Sequence, residues 1–215
     1  MNKLKWGLIA IFYLFPMFVV AAEPVELNKE TFSTKQAVII IQVNWGRTWK
    51  CGRFENAQLQ ALTFAQSSDD SSEGISLELE TPSKLFVDNK FLPYAYVVQP
   101  GEYFLTAFDV KAARSTTDIV HIKGTKENLF KNGESVGGSF RVSPGEVVYI
   151  GHFGLECGAE PFLWRYYIDG RSEFEKYIEG FRWKYPFAKD VPVQFRLFST
   201  KLLGNPFELD DPTVN

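Results

Sequence analysis

Short runs of β-branched and aromatic residues, separated by turns of proline and glycine, limit what this chain can fold into. Residues 37–43, AVIIIQV, are apolar without interruption, which is typical of a strand buried on both faces. Residues 75–79, ISLEL, alternate between apolar and polar side chains, which predicts a strand with one face in water. Several strands of this kind favour a mainly β fold, an antiparallel β-sandwich.

Two turns share the pattern V-x-P-G-E, at residues 98–102 and 142–146, and each precedes an aromatic and aliphatic run. Proline fixes φ at the first central position of a turn, and glycine accepts the positive φ of the second position. Each pattern therefore predicts a type II turn between strands. Further strands are predicted at residues 94–98, 119–122, 138–142, 164–168 and 193–198.

One amphipathic helix is predicted near the C-terminus, at residues 172–185. Ser172 and Glu175 have the S-x-x-E spacing of a capping box, in which each side chain satisfies an amide at the helix start. The apolar stripe of this helix consists of Phe174, Tyr177, Ile178, Phe181 and Tyr185. Pro186 ends the helix, and we expect the stripe to pack on an edge or a face of the sheet.

The first 22 residues have the pattern of a secretory signal peptide. Two lysines precede an apolar run at residues 6–20, and the small residues Ala21 and Ala22 follow it. The run is shorter than the roughly 20 residues that span a bilayer, so cleavage after Ala22 is favoured over a retained anchor. We therefore expect a periplasmic or secreted protein in which residues 23–215 form a single domain with no transmembrane segment.

Two cysteines remain after the predicted cleavage point, Cys51 and Cys157. In an oxidising compartment an even cysteine count predicts a disulfide between them. Closing a loop of about a hundred residues stabilises a fold by roughly 4–5 kcal/mol if the effect is chain entropy alone. The alternative is a reactive thiol at Cys157, with His152 as its base.

Part of the chain resembles a known family. The residues that carry the likeness are 98–108, the segment FRVSPGEVVYIGHF at 140–153, and the late helix that runs into Tyr185 and Pro186. They resemble a family of bacterial envelope proteins of unknown function, lipoprotein-like β-sandwich domains grouped as DUF2846-like. The resemblance implies a small periplasmic β-sandwich with no established reaction. The chain lacks the lipidated cysteine that lipoprotein members carry near their start.

Catalytic and cofactor motifs are missing from the sequence. His121 and His152 lack a metal-binding spacing, and there is no nucleophile elbow, phosphate-binding glycine loop or C-x-x-C pair. Carboxylate pairs that could serve a cell-wall hydrolase are Glu78 with Glu80, Asp69 with Asp70, and Glu156 with Glu160. Solvated faces explain these pairs equally, so we predict a protein that is not an enzyme and needs no metal or cofactor. A hydrolase with an unrecognised carboxylate pair is the alternative.

The segment NWGRTWKCGRF, residues 44–54, is the candidate binding surface. Its candidate residues are Trp45, Arg47, Trp49 and Arg53. Aromatic side chains beside cations suit stacking on sugar rings or contact with an acidic protein. The alternative is that both tryptophans fill one end of the sandwich while the basic side chains stay in water.

The charge of the chain bears on its partners. The net charge is −3 and no basic block is present, which argues against a nucleic acid. The leading hypothesis is a non-enzymatic envelope protein that binds another protein or a cell-wall component. In one form of this hypothesis the chain is a periplasmic inhibitor of a toxin or a lysozyme-type enzyme, with the acidic residues 69–73 entering a basic cleft.

Overall fold

The computed structural model describes residues 24–66, 75–83 and 87–205, and the fold is mainly β. The predicted signal peptide and the acidic residues 69–73 lie outside this part of the chain. The strands are β1 (Val25–Glu26), β2 (Ala37–Asn44), β3 (Arg47–Cys51), β4 (Phe54–Gln66), β5 (Ser76–Glu80), β6 (Phe91–Val98), β7 (Gly101–Ala113), β8 (Ile119–Gly124), β9 (Phe130–Lys131), β10 (Glu134–Ser135), β11 (Ser139–Val142), β12 (Val147–Cys157), β13 (Pro161–Tyr166) and β14 (Val193–Phe195). The helices are α1 (Lys126–Leu129), α2 (Arg171–Lys184) and a 3-10 turn, Pro186–Ala188.

Twelve of the described strands form two six-stranded sheets, and β9 pairs with β10 in a separate two-stranded sheet. The first sheet has the order β1-β6-β2-β12-β13, with β14 added beside β12. The second has the order β11-β7-β4-β3, with β5 beside β4 and β8 beside β7. Most pairs are antiparallel, as predicted, but β12 runs parallel to both β2 and β14. The chain passes between the sheets at β2–β3, β5–β6, β6–β7 and β11–β12, which gives a sandwich.

Strand β2 is buried on both faces because the first sheet is the middle one of three layers. Ile39 and Ile41 belong to the core shared with the second sheet. Val38 and Ile40 pack on the opposite side with Phe181 of α2. The uninterrupted apolar run at residues 37–43 is explained by this double burial, and its prediction as a buried strand is confirmed.

Both V-x-P-G-E segments carry the chain from one sheet to the other, between β6 and β7 and between β11 and β12. At the second, Gly145 has a φ of 77° and the Glu146 amide donates to the Ser143 carbonyl at 3.2 Å, which fits the predicted type II turn. At the first, Gly101 has a φ of 153°. That value does not fit a type II turn, because Gly101 already pairs with Val142 as the first residue of β7.

The predicted helix is present, but its start differs from the prediction. Helix α2 begins at Arg171 after Gly170, whose φ is 85°, and no side chain caps it. Ser172 therefore lies inside the first turn, and Glu175 accepts a hydrogen bond from Arg171 Nε at 3.0 Å. The capping box was wrong because a glycine with positive φ sets the entry into the helix. The apolar stripe is confirmed and packs on the outer face of the first sheet.

No helix within residues 24–66, 75–83 and 87–205 has both the length and the apolar character that a membrane crossing requires.

Candidate functional site

A disulfide joins the two sheets at the end of the molecule where the candidate surface lies. Cys51 ends β3 in the second sheet, Cys157 ends β12 in the first, and their Cα atoms are 5.5 Å apart. The predicted pairing is confirmed. Because both sulfurs are bonded, the alternative of a reactive Cys157 thiol is wrong for this state of the protein.

Trp45 belongs to the core and not to a surface. Its side chain is 1% exposed, and its Nε1 donates to the Tyr94 hydroxyl at 2.9 Å. The Trp45 carbonyl accepts from Gln58 Nε2 at 3.0 Å. Trp45 lies where the chain passes from β2 in one sheet to β3 in the other, so its indole fills the end of the space between them. Trp45 is therefore not accessible to a partner, unlike the other candidate residues of the predicted binding surface.

Trp49, in contrast to Trp45, lies on the surface. Its side chain is 63% exposed on β3, which is an edge strand of the second sheet. The Arg47 guanidinium lies 5.3 Å from the centre of the Trp49 ring, a distance at which a cation is attracted to the ring face. The two side chains are two residues apart on one strand and so share a face. The sequence left open whether the two tryptophans lie in the core or on the surface. In the structure Trp45 lies in the core and Trp49 lies on the surface.

The register of the second sheet brings further residues to this face. Cross-strand pairing places Trp49 in one row with Asn56, Ala113 and Ile119. Pairing also places Arg47 in the next row, with Gln58, Lys111 and His121. Ile119 is 46% exposed, which is high for an isoleucine. We call the group Arg47, Trp49, Lys111, Arg114 and Ile119 the tryptophan surface.

An open groove of about 500 Å³ runs along the tryptophan surface. It is lined by Arg47, Glu55, Asn56, Lys111, Ala113, Arg114, Ser115, Thr116 and Ile119. Three of these side chains are basic and one is acidic. Arg114 also pairs with Asp118 at 3.3 Å and lies over the Phe54 ring at 5.3 Å, which fixes its position. Lys111, Arg114 and Ile119 were not candidates from the sequence, because no local motif links them to β3.

Arg53 is not part of the groove. It forms an ion pair with Glu160, and its guanidinium lies 5.4 Å from the centre of the Phe54 ring. This pair ties the turn between β3 and β4 to the residues that follow β12, next to the disulfide. Of the four sequence candidates, Arg47 and Trp49 therefore lie together, whereas Arg53 and Trp45 make structural contacts elsewhere.

The two histidines lie in different surroundings. His121 Nδ1 is 2.8 Å from Asp109 Oδ1 on the neighbouring strand. His152 lies among the rings of Phe91, Tyr149 and Tyr177, and this burial lowers its pKa from 6.5 to about 4. A histidine with this pKa is neutral at pH 7.

Of the carboxylate pairs named from the sequence, Glu156 and Glu160 have different partners. Glu156 accepts from the Tyr166 hydroxyl at 3.0 Å, whereas Glu160 pairs with Arg53. Glu78 and Glu80 lie on β5. Asp69 and Asp70 fall outside the described residues. Within the described ranges, no three side chains of histidine, cysteine, aspartate or glutamate are grouped as a metal site would need.

Comparisons with known proteins returned nothing. No family model, no curated protein and no solved structure matches the chain. The resemblance to DUF2846-like domains therefore stays a prediction.

Proposed function

We propose that this chain is an exported, non-enzymatic binding protein of a bacterial envelope, and that its tryptophan surface binds an acidic partner protein. Export rests on the signal-peptide pattern of residues 1–22, and the Cys51–Cys157 disulfide is compatible with an oxidising compartment. The likeness to envelope β-sandwich domains points the same way.

The observation that carries the proposal is the exposed indole of Trp49 with Arg47 held against it. Tryptophan and arginine are the side chains that most often dominate the binding energy of protein interfaces. Both are paired with residues of β4, and their strand ends in the disulfide. A partner would therefore meet a surface that loses little conformational freedom on binding.

Charge indicates the kind of partner. The chain as a whole has a net charge of −3. The groove beside Trp49 is lined by Arg47, Lys111 and Arg114, and the carboxylates close to them are Glu55 in the lining and Asp118, which pairs with Arg114. Basic side chains therefore exceed acidic ones here. Complementary charge steers association and favours partners of the opposite sign. An acidic surface with an apolar centre fits this combination.

The experiment compares two exposed tryptophans. Trp183 on α2 is 87% exposed and lies on the other side of the first sheet, so Trp183→Ala is a matched control for Trp49→Ala. The mature protein and both variants are immobilised, exposed to envelope extract, and the retained proteins are quantified by mass spectrometry at two salt concentrations. We expect at least one protein that Trp49→Ala retains at least about tenfold less than Trp183→Ala does, with retention falling as salt rises.

Two outcomes would contradict the proposal. If Trp49→Ala and Trp183→Ala retain the same proteins in the same amounts, the tryptophan surface is not the binding site. If the Trp49-dependent ligand is purified peptidoglycan and not a protein, the partner is a cell-wall glycan, and the part of the proposal that names a protein fails.

A further inference from the structure

A second cavity lies on the opposite side of the molecule, between α2 and the outer face of the first sheet. Its volume is about 390 Å³, within the range of small-molecule sites. It is lined by Ile40, Gln42, Phe91, Pro93, Tyr94, Ala95, Lys176, Tyr177, Gly180, Phe181, Lys184 and Tyr185. Most of this lining is apolar or aromatic, so the interior suits an apolar group.

The helix presents two rows of side chains to this cavity. Tyr177, Phe181 and Tyr185 are four residues apart and form one wall. Lys176, Gly180 and Lys184 have the same spacing and form the adjacent, more exposed row. The apolar row thus lies towards the sheet and the lysine row towards solvent, which makes the cavity amphipathic.

Gly180 lies at the solvent-facing mouth of the cavity, with free space around it. A glycine inside a helix is less stable than alanine by about 1 kcal/mol, so one in the middle of α2 needs a reason. Packing does not supply it, because a Cβ built on Gly180 meets no atom within 4 Å. Any larger side chain would extend into the free space beside the lysine row. The glycine is explained if that space is used by a ligand.

One positive charge is available at the cavity. Lys176 Nζ donates a hydrogen bond to Glu173 Oε1 at 2.6 Å, so this lysine already has a close carboxylate partner. Lys184 Nζ lies 3.9 Å from Glu26, at the limit of an ion pair, and 5.1 Å from the centre of the Tyr185 ring. Such a contact is weak in water, so the Lys184 ammonium can turn towards a bound anion.

The hydroxyl groups of two tyrosines in this wall are covered by the protein. The Tyr185 hydroxyl is covered and has no hydrogen-bond partner in the part of the chain that the structure describes. The Tyr177 hydroxyl is covered too, and its approach to Gln42 does not reach hydrogen-bonding geometry. Buried polar groups without partners are uncommon in native proteins. Because both hydroxyls are covered, a molecule in the open cavity would meet the tyrosine rings and not these hydroxyls.

We infer that the cavity between α2 and the first sheet binds a small amphipathic anion, with its apolar body between the helix and the sheet and its single charged group at Lys184. The inference is independent of the tryptophan surface, which lies on the other sheet. A single charge is expected because Lys176 is already hydrogen-bonded to Glu173, whereas Lys184 stays 3.9 Å from Glu26.

The test uses three probes with the same ten-carbon chain: decanoate, decanol and decylammonium. Binding to the mature protein is measured by isothermal titration calorimetry below the concentrations at which the probes aggregate. We expect decanoate to bind at least about tenfold more tightly than decylammonium. Lys184→Glu should remove this preference, whereas Arg182→Glu, the same charge change on α2 away from the cavity lining, should leave it.

Gly180 variants separate binding from folding. Gly180→Leu fills the mouth and improves helix propensity, so it should abolish binding of all three probes while the melting temperature stays the same or rises. Gly180→Ala should keep decanoate binding within about threefold, because one methyl group takes little of the cavity volume. The inference is overturned if decanoate does not bind, if Gly180→Leu binds as well as the unaltered protein, or if Lys184→Glu and Arg182→Glu behave alike.

Discussion

Glu146 and Arg196 form a two-pronged ion pair, with Nη1 of the arginine 2.8 Å from Oε2 and Nη2 3.1 Å from Oε1 of the glutamate. Glu146 is the last residue of the second P-G-E turn, and Arg196 follows β14. The carboxylate also accepts from the Ser143 amide at 2.8 Å. One side chain therefore holds its own turn and anchors the C-terminal strand to it.

The Glu146–Arg196 pair should make the stability of the fold depend on pH. Hydrogen bonds from Arg196 lower the Glu146 pKa from 4.5 to about 2. A lowered carboxylate pKa stabilises the fold above pH 4.5, and this contribution is lost as the pH falls towards 2. Glu146→Gln should lower the free energy of unfolding in urea by about 1–2 kcal/mol at pH 7, with a smaller difference at pH 3. Glu179→Gln, an exposed change on α2, is the control, and an equal effect of both variants would refute the role of the pair.

His152 predicts a second pH dependence in a different range. Burial among aromatic rings lowers its pKa from 6.5 to about 4. Between these two pH values the histidine is protonated in the unfolded chain and neutral in the folded chain. Stability should fall as the pH drops from 6.5 towards 4, by up to about 1.4 kcal/mol per pH unit. His152→Phe keeps an aromatic ring and should reduce the difference between unfolding free energies at pH 7 and pH 5. If the variant shows the same difference as the unaltered protein, His152 is not its source.

The disulfide can be tested directly. Under denaturing conditions the protein should show free thiols only after reduction, because Cys51 and Cys157 are bonded. Replacing both with alanine should lower the free energy of unfolding by about 2–5 kcal/mol, since it frees a loop that spans most of the domain. Equilibrium unfolding in urea measures the loss. Thiols that react before reduction would show that the two sheets are not joined in the isolated protein.

The two tryptophans of the β3 region should respond oppositely to substitution. Trp45→Ala opens a cavity in the core and leaves the Tyr94 hydroxyl without its donor, so it should cost about 3–5 kcal/mol of unfolding free energy. Trp49→Ala removes an exposed ring and should change stability by no more than about 0.5 kcal/mol. Urea unfolding of both variants decides this. Similar losses would mean that Trp49 is a structural residue, which would remove the basis for a binding surface.

Strands with a clear pattern were predictable, and strand β4 shows why others were not. Its sequence, FENAQLQALTFAQ, is rich in glutamine and alanine and has no simple alternation. Gln58 is buried there because its side chain donates to the Trp45 carbonyl. A polar residue of this kind is compatible with a central strand only once its partner is in place, and the partner lies on another element. The start of α2 was predicted wrongly for a more local reason, because the S-x-x-E spacing does not reveal the φ of Gly170.

By itself the sequence determined the properties that depend on neighbouring residues and on composition. The double burial of β2 follows from its uninterrupted apolar run, the stripe of α2 from helical spacing, and the disulfide from a single pair of cysteines. The tertiary structure alone decided that Trp45 is core and Trp49 is surface. It also decided that Lys111 lies beside Arg47 and that a cavity opens at Gly180. The physical reason is that strand register and helix docking bring together residues that are far apart in the chain. Local spacing in the sequence does not predict such long-range contacts.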